Sequence, residues 1–171
     1  MSWPNCSRRG LLAAGTLAGL GLGCSEEARP LLQVGQKMLP FSLDLIGGGT
    51  RRAEDHLGRP LVITFMSSWC PCSNRSLPLL NQAYLHHGSD RVAFLMIGIQ
   101  DSRSKFEAFV RTKGVVFPAG FDKGDRIARD YGVATPPTTF FVGRDGIVKR
   151  AIYGSVADRP GELRQWLEEI L

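Results

Sequence analysis

The sequence predicts an α/β fold in three layers, a mixed central sheet flanked by helices. Three observations predict it. Two continuous apolar runs, LVITFM at 61–66 and VAFLMIGI at 92–99, have the length and β-branched content of strands buried on both faces. Each run is followed by a stretch with helical spacing, which is βαβ order. The chain then ends in a hairpin signal and one more helix, so parallel strands give way to antiparallel ones.

The elements follow in order. Pro40-Phe41-Ser42-Leu43 opens the domain in extended form, and Gly47-Gly48-Gly49 marks a turn. After the strand at 61–66, a helix is expected over 71–86, with Pro71 at its first position, where a missing N–H leaves no bond unmade. The strand at 92–99 leads to a helix over 102–113, where Phe106, Phe109 and Val110 share a face and Gly114 ends the run. A short helix is expected at 122–131. Strands at 138–142 and 147–152 are joined by Arg144-Asp145-Gly146, a hairpin turn. The last helix, 161–171, carries Leu163, Trp166, Leu167 and Ile170 on one stripe. There are no internal repeats, and 171 residues suffice for one full-sized core.

The N-terminus reads as an address. Arg8 and Arg9 precede an apolar run at 11–23 that is shorter than the roughly 20 residues a membrane span needs. The segment Ser7-Arg8-Arg9-Gly10-Leu11-Leu12 resembles a twin-arginine export signal, with Leu11 where phenylalanine is usual. Cys24, followed by Ser25-Glu26-Glu27, resembles the lipid-attachment cysteine of a lipoprotein; a soluble exported protein is the alternative. The expected organisation is an export signal over 1–23, a tether over 24–33 and one domain over 34–171. The expected place is the bacterial cell envelope, at the periplasmic face or outer side of the cytoplasmic membrane, anchored by lipid on Cys24. The net charge of +5 falls to +3 without Arg8 and Arg9, and the basic excess is spread along the chain. No aromatic-basic cluster points to nucleic acid.

Of four cysteines, Cys6 lies in the signal and Cys24 at its end, which leaves Cys70 and Cys72 to the domain. One close pair is no disulfide scaffold; it points to chemistry. The pair stands in Ser68-Trp69-Cys70-Pro71-Cys72-Ser73, where a buried strand runs into a helix. Cys70 falls at the N-cap, where first-turn N–H groups and the helix dipole favour a thiolate. It is expected to be the attacking sulfur and the more exposed of the two. Three other readings use the same residues: a peroxiredoxin-like thiol peroxidase acting through Cys70, a Cu(I)-binding protein using Cys70 and Cys72 as soft ligands, and a redox-inactive scaffold that binds partners. His56, His86 and His87 are expected in solvent.

Residues from about 34 to 171 resemble the TlpA/ResA-type branch of the thioredoxin superfamily. The resemblance rests on Phe65 and Trp69 before the first cysteine, and on Pro78 within the following helix. It rests also on a strand–helix insertion between 92 and 122 that includes Phe117-Pro118, and on Tyr131-Gly132-Val133-Ala134-Thr135-Pro136-Pro137-Thr138-Thr139-Phe140. It implies a thioredoxin-like fold and disulfide exchange with envelope proteins through Cys70. It further implies a separate redox partner that recycles the site, a monomer, no cofactor and no metal. Pro137 becomes a cis-proline facing the site, with Trp69, Pro71, Ser73 and Pro136 in support. One departure stands out. The branch carries Cys-x-x-Cys, and Pro78 stands five residues after Ser73, so Ser73 occupies the second cysteine's position and Cys72 the one before it. Residues two apart do not share a helical face. A Cys70–Cys72 bond is therefore expected to be strained and readily reduced. Thr64 stands where thioredoxins carry a buried acid.

Overall fold

The structure, a computed structural model, describes residues 29–171. The expected export motif Arg8-Arg9 and the lipid-attachment residue Cys24 lie outside the described residues. Strands β1 (Ser42–Asp44) and β2 (Thr50–Arg52) pair antiparallel across the Gly47-Gly48-Gly49 turn, and Leu43 points inward from β1. Strand β3 (Leu61–Met66) is buried along its whole length, as its unbroken apolar run predicts. Helix α1 (Pro71–Arg91) follows, then β4 (Ala93–Gly98), helix α2 (Arg103–Thr112) and β5 (Ala119–Phe121). Helix α3 (Arg126–Asp130), the hairpin β6 (Thr138–Val142) and β7 (Val148–Tyr153), and helix α4 (Leu163–Glu168) complete the chain.

The main sheet has the order β5-β4-β3-β6-β7. Strands β3, β4 and β5 are parallel, while β6 and β7 are antiparallel to their neighbours. Side chains alternate across the sheet, so each central strand feeds two cores. Ile63, Phe65, Leu95, Ile97 and Phe140 pack on one face with Tyr131. Val62, Met66, Phe94, Met96 and Phe141 pack on the other with Leu80, Phe106 and Trp166. Pro30 to Gln33, within the stretch expected as a tether, lies against α3: Leu32 is buried and its N–H donates to Tyr131 O at 3.0 Å.

Several elements differ from expectation. Helix α1 runs past 86 to Arg91, with Pro78 inside it. The single helix expected over 122–131 is split into a 3-10 turn at Lys123–Asp125 and α3, because Gly124 (φ 72°) and Asp125 (φ 54°) adopt left-handed backbone between them. The last helix is confined to Leu163–Glu168. The three-residue strands β1, β2 and β5 are too short to leave a periodic pattern in the sequence.

Candidate active site

Chain geometry brings three segments together at the C-terminal end of β3: the β3–α1 junction, the loop after β4, and the loop before β6. Cys70 is the N-cap of α1 with extended backbone (φ −82°, ψ 119°), and Pro71 is the first helical residue. The junction is tied from several sides. Cys70 N–H donates to Ser67 O at 3.2 Å. The Cys70 carbonyl accepts from Asn74 N–H at 3.2 Å and from Asn74 Nδ2 at 3.0 Å. Asn74 Nδ2 also reaches Ser68 O, at 3.2 Å. Ser68 N–H donates to Asp101 Oδ2 at 2.7 Å. Trp69 is 59% exposed, yet its indole N–H is fixed on Gln100 O at 2.7 Å. Gln100 holds a left-handed φ of 50°. Its own N–H on Asp125 Oδ1 (2.8 Å) and its Nε2 on Ala134 O (2.8 Å) keep it there.

The Pro136–Pro137 peptide is cis. Cys70 Sγ lies 3.5 Å from Pro136 O, placed to donate to it, and Pro137 O accepts from Gly154 N–H at 2.9 Å. Pro136 and Pro137 are both buried. Cys72 occupies the first turn of α1 and is half-buried. Arg75 Nη2 stands 3.5 Å from Cys72 Sγ and 3.0 Å from Asp158 Oδ1. Ser76 Oγ donates to Cys72 O at 2.9 Å and pairs with Ser155 Oγ at 2.9 Å, joining α1 to the turn that carries Asp158.

The exposure expected of the two thiols is reversed. Cys70 is only 7% exposed, and Cys72 is the more open sulfur. The loop ending in Pro136 sits against Cys70, whereas Cys72 shares its side of α1 with the exposed Arg75. Ser73 is fully buried and its Oγ accepts from Ser67 N–H at 3.4 Å, so it serves the strand–helix junction. Thr64 pairs with Thr139, Oγ1 to Oγ1, at 3.0 Å. His56 was expected in solvent but is 8% exposed, with no partner for either ring nitrogen, and burial holds its pKa below the ordinary value. His86 is exposed; His87 is half-buried, and its pKa too is lowered chiefly by burial. Among the described residues no cluster of three or more His, Cys, Asp or Glu could hold a metal ion. Sequence reasoning missed Arg75 and Asp158. Arg75 was within reach, three residues after Cys72 on the same helical face; Asp158 has no local signal.

Two cysteines where a buried strand enters a helix, with a cis-proline loop against the first sulfur, define a thioredoxin-like redox site on a five-stranded mixed sheet. The chain belongs to the AhpC/TSA family, whose profile matches residues 34–151. It is 29% identical over 137 residues to the thiol-disulfide oxidoreductase ResA of Geobacillus thermodenitrificans, across 80% of this chain and 78% of that one. A Chlorobium tepidum structure bearing the name thiol:disulfide interchange protein DsbE shares the fold with a TM-score of 0.76 and 24% identity, over 82% of this chain and 99% of that one. The exposed lipoprotein thioredoxin Etrx1 of Streptococcus pneumoniae matches with a TM-score of 0.65 and 24% identity, over 77% and 99%. The chain is thus a homologue of thiol-disulfide oxidoreductases that carries its two cysteines one residue apart.

Proposed function

We propose that this chain is an exported thiol–disulfide oxidoreductase that exchanges disulfides with proteins of the bacterial cell envelope, through a site centred on Cys70 with Cys72 as its second sulfur. The observation that carries the reading is the placement of Cys70 at the N-cap of α1, with its sulfur 3.5 Å from the carbonyl before the cis-proline. There the sulfur stands at the positive end of the helix dipole. The exposed face of Trp69 beside it suits contact with a polypeptide partner. In each cycle one sulfur of the pair attacks a partner disulfide, and the other displaces the partner. This leaves a Cys70–Cys72 disulfide and two partner thiols. An external dithiol then restores the pair.

Export is supported by Arg8-Arg9 and the short apolar run, and by the name of the Streptococcus pneumoniae relative, an exposed lipoprotein. Lipid on Cys24 would anchor the domain at the outer side of the membrane. Cu(I) binding is disfavoured by the guanidinium beside Cys72 Sγ, a cation where a second one would have to sit.

Insulin reduction by dithiothreitol tests the activity. The purified chain is expected to accelerate it, and Cys70→Ser to abolish the acceleration. A chain that consumes hydrogen peroxide rapidly but leaves insulin untouched is instead a thiol peroxidase, and the proposal fails. Fractionation of the native cell tests the address: full-length protein in the cytoplasm overturns export.

A further inference from the structure

We propose that Arg75 is a recognition residue for the partner: it favours polypeptides that carry a carboxylate, an Asp or Glu side chain, beside the disulfide they exchange. This rests on the exchange reading above and names its substrate class. It is independent of which sulfur attacks.

Arg75 stands at the edge of the reactive pair. It follows Cys72 by three residues, so both side chains share one helical face, and its Nη2 lies 3.5 Å from Cys72 Sγ. Only Pro71 separates Cys72 from Cys70. A partner disulfide that reaches the pair therefore brings its neighbouring residues within reach of this guanidinium. The side chain is more than half exposed, so a partner meets it directly. Its donors are not used up. A guanidinium has five N–H groups in a fixed fork, two of them on Nη2. Nη2 serves Cys72 Sγ and Asp158 Oδ1, and among the described residues nothing bonds Nε or Nη1. Those groups are open to an incoming carboxylate, whose planar pair of oxygens matches the fork.

The guanidinium is also held ready. An arginine at the surface samples many rotamers, and fixing one on binding has an entropic cost. Asp158 lowers that cost by bonding Nη2 at 3.0 Å. Asp158 is itself set in place, because the Ser76–Ser155 hydroxyl pair fixes the Val156–Asp158 turn against α1. An exposed ion pair of this kind is weak, so a partner's carboxylate can share the guanidinium or displace Asp158 from it. Asp101, the other carboxylate at the junction, is engaged elsewhere. Its two oxygens accept from backbone N–H groups, of Ser68 at 2.7 Å and of Ser102 at 2.8 Å. The chain as a whole has a net charge of +5, so its long-range field favours acidic partners as well.

The exchange itself balances. The partner's S–S bond breaks and a Cys70–Cys72 bond forms. The partner leaves with two thiols, having gained the two electrons and two protons that the pair gives up. Arg75 takes no part in bond making or breaking. It acts before those steps, by holding the carboxylate while the partner disulfide meets the pair, and so raises kcat/KM for an acidic partner over a neutral one.

Three disulfide-closed peptides of one sequence, with Glu, Gln or Lys beside one cysteine, test the inference on the reduced full chain. Peptide mapping follows formation of the Cys70–Cys72 bond, and each rate is divided by that of dithiothreitol with the same peptide. The readout is the ratio between peptides. Any effect of a variant on sulfur reactivity is common to all three and cancels, so a merely structural role would not move it. The wild-type chain is expected to prefer Glu to Gln by about two- to fivefold, the range for an exposed ion pair, and Gln to Lys. Arg75→Ala should remove the preference, Arg75→Glu should invert it, and Arg75→Lys should keep most of it. Asp158→Asn, which keeps an acceptor for Nη2 and removes the competing charge, should widen it. Added salt should shrink it. Equal ratios for the three peptides in the wild-type chain, or a preference that Arg75→Ala leaves intact, overturns the proposal. If the wild-type chain accelerates insulin reduction yet shows no preference, only the recognition is wrong. If it exchanges with none of the peptides and leaves insulin untouched, the exchange reading fails and this inference with it.

Discussion

Ser73 shows how one position redirects a site. It stands where a Cys-x-x-Cys pair would place its second sulfur, and it is fully buried. Its hydroxyl accepts the Ser67 N–H, so the position serves structure and the second thiol moves one place earlier, to the outer side. Cys72→Pro combined with Ser73→Cys would return the sulfur to the inward face and relax the ring that a Cys70–Cys72 bond must close. The expected result is a lower reduction potential against glutathione, an oxidised form that is harder to reduce. An equal or higher potential would show that the one-residue spacing is not a source of strain. Cys70, Pro71 and Trp69 were legible from local rules, because an N-cap and a helix start are set by neighbours in sequence. The relative exposure of the two thiols was not legible, since it depends on a loop more than sixty residues away in the chain.

At the scale of elements, β5 is the piece that local pattern could not supply. Three residues carry no period, and β5 forms because β4 on one side and the β1–β2 hairpin on the other leave it a place. Gly120 is the contact point. A Cβ there would come within 2.5 Å of Leu43 Cγ and 2.6 Å of Asp44 O. The backbone oxygen cannot move without breaking the hairpin. Gly120→Ala is therefore expected to destabilise the chain by about 1–3 kcal/mol, the usual range for overpacking. Denaturant melts check this: an unchanged midpoint would mean that the hairpin is not firmly seated on β5. The α1 helix teaches a related lesson. Its extra turn beyond 86 is polar, as is much of its length, and its end is set where β4 begins rather than by a cap in the sequence.

For the whole molecule, the sheet separates two cores, and neighbouring residues of one strand serve different ones. Phe140 packs with Tyr131 and Phe65, and Phe141 packs with Trp166 on the opposite face. Both are fully buried. Phe140→Ala and Phe141→Ala should each lower unfolding stability by about 3–5 kcal/mol. If one face tolerates the change at little cost, that core is not cooperative with the sheet. Stability should also depend on pH through His56. Its ordinary pKa is 6.5, and burial lowers the folded value. The unfolded chain therefore takes up the proton first as pH falls. The stability that neutral His56 provides is complete above about pH 6.5 and is lost below it, down through the lower folded value, at up to about 1.4 kcal/mol per pH unit. Denaturant melts between about pH 7.5 and about pH 5.5 should show that loss, and His56→Leu should reduce it. A variant as pH-sensitive as the wild type would assign the loss to another group, such as His87.

The sequence by itself determined the α/β class, the central strands, the hairpin and the position of the reactive pair. Each of these is written in short-range pattern: apolar runs, helical spacing, a turn tripeptide, a proline at a helix start. Tertiary structure decided what needs distant partners. It placed β5 at the sheet edge, broke the helix expected over 122–131, buried His56, covered Cys70 with the Pro136 carbonyl and brought Asp158 to Arg75. The physical reason is the same in every case. Burial and hydrogen-bond partnership are properties of segments that meet only when the chain has folded, and no window along the sequence contains both sides of the contact.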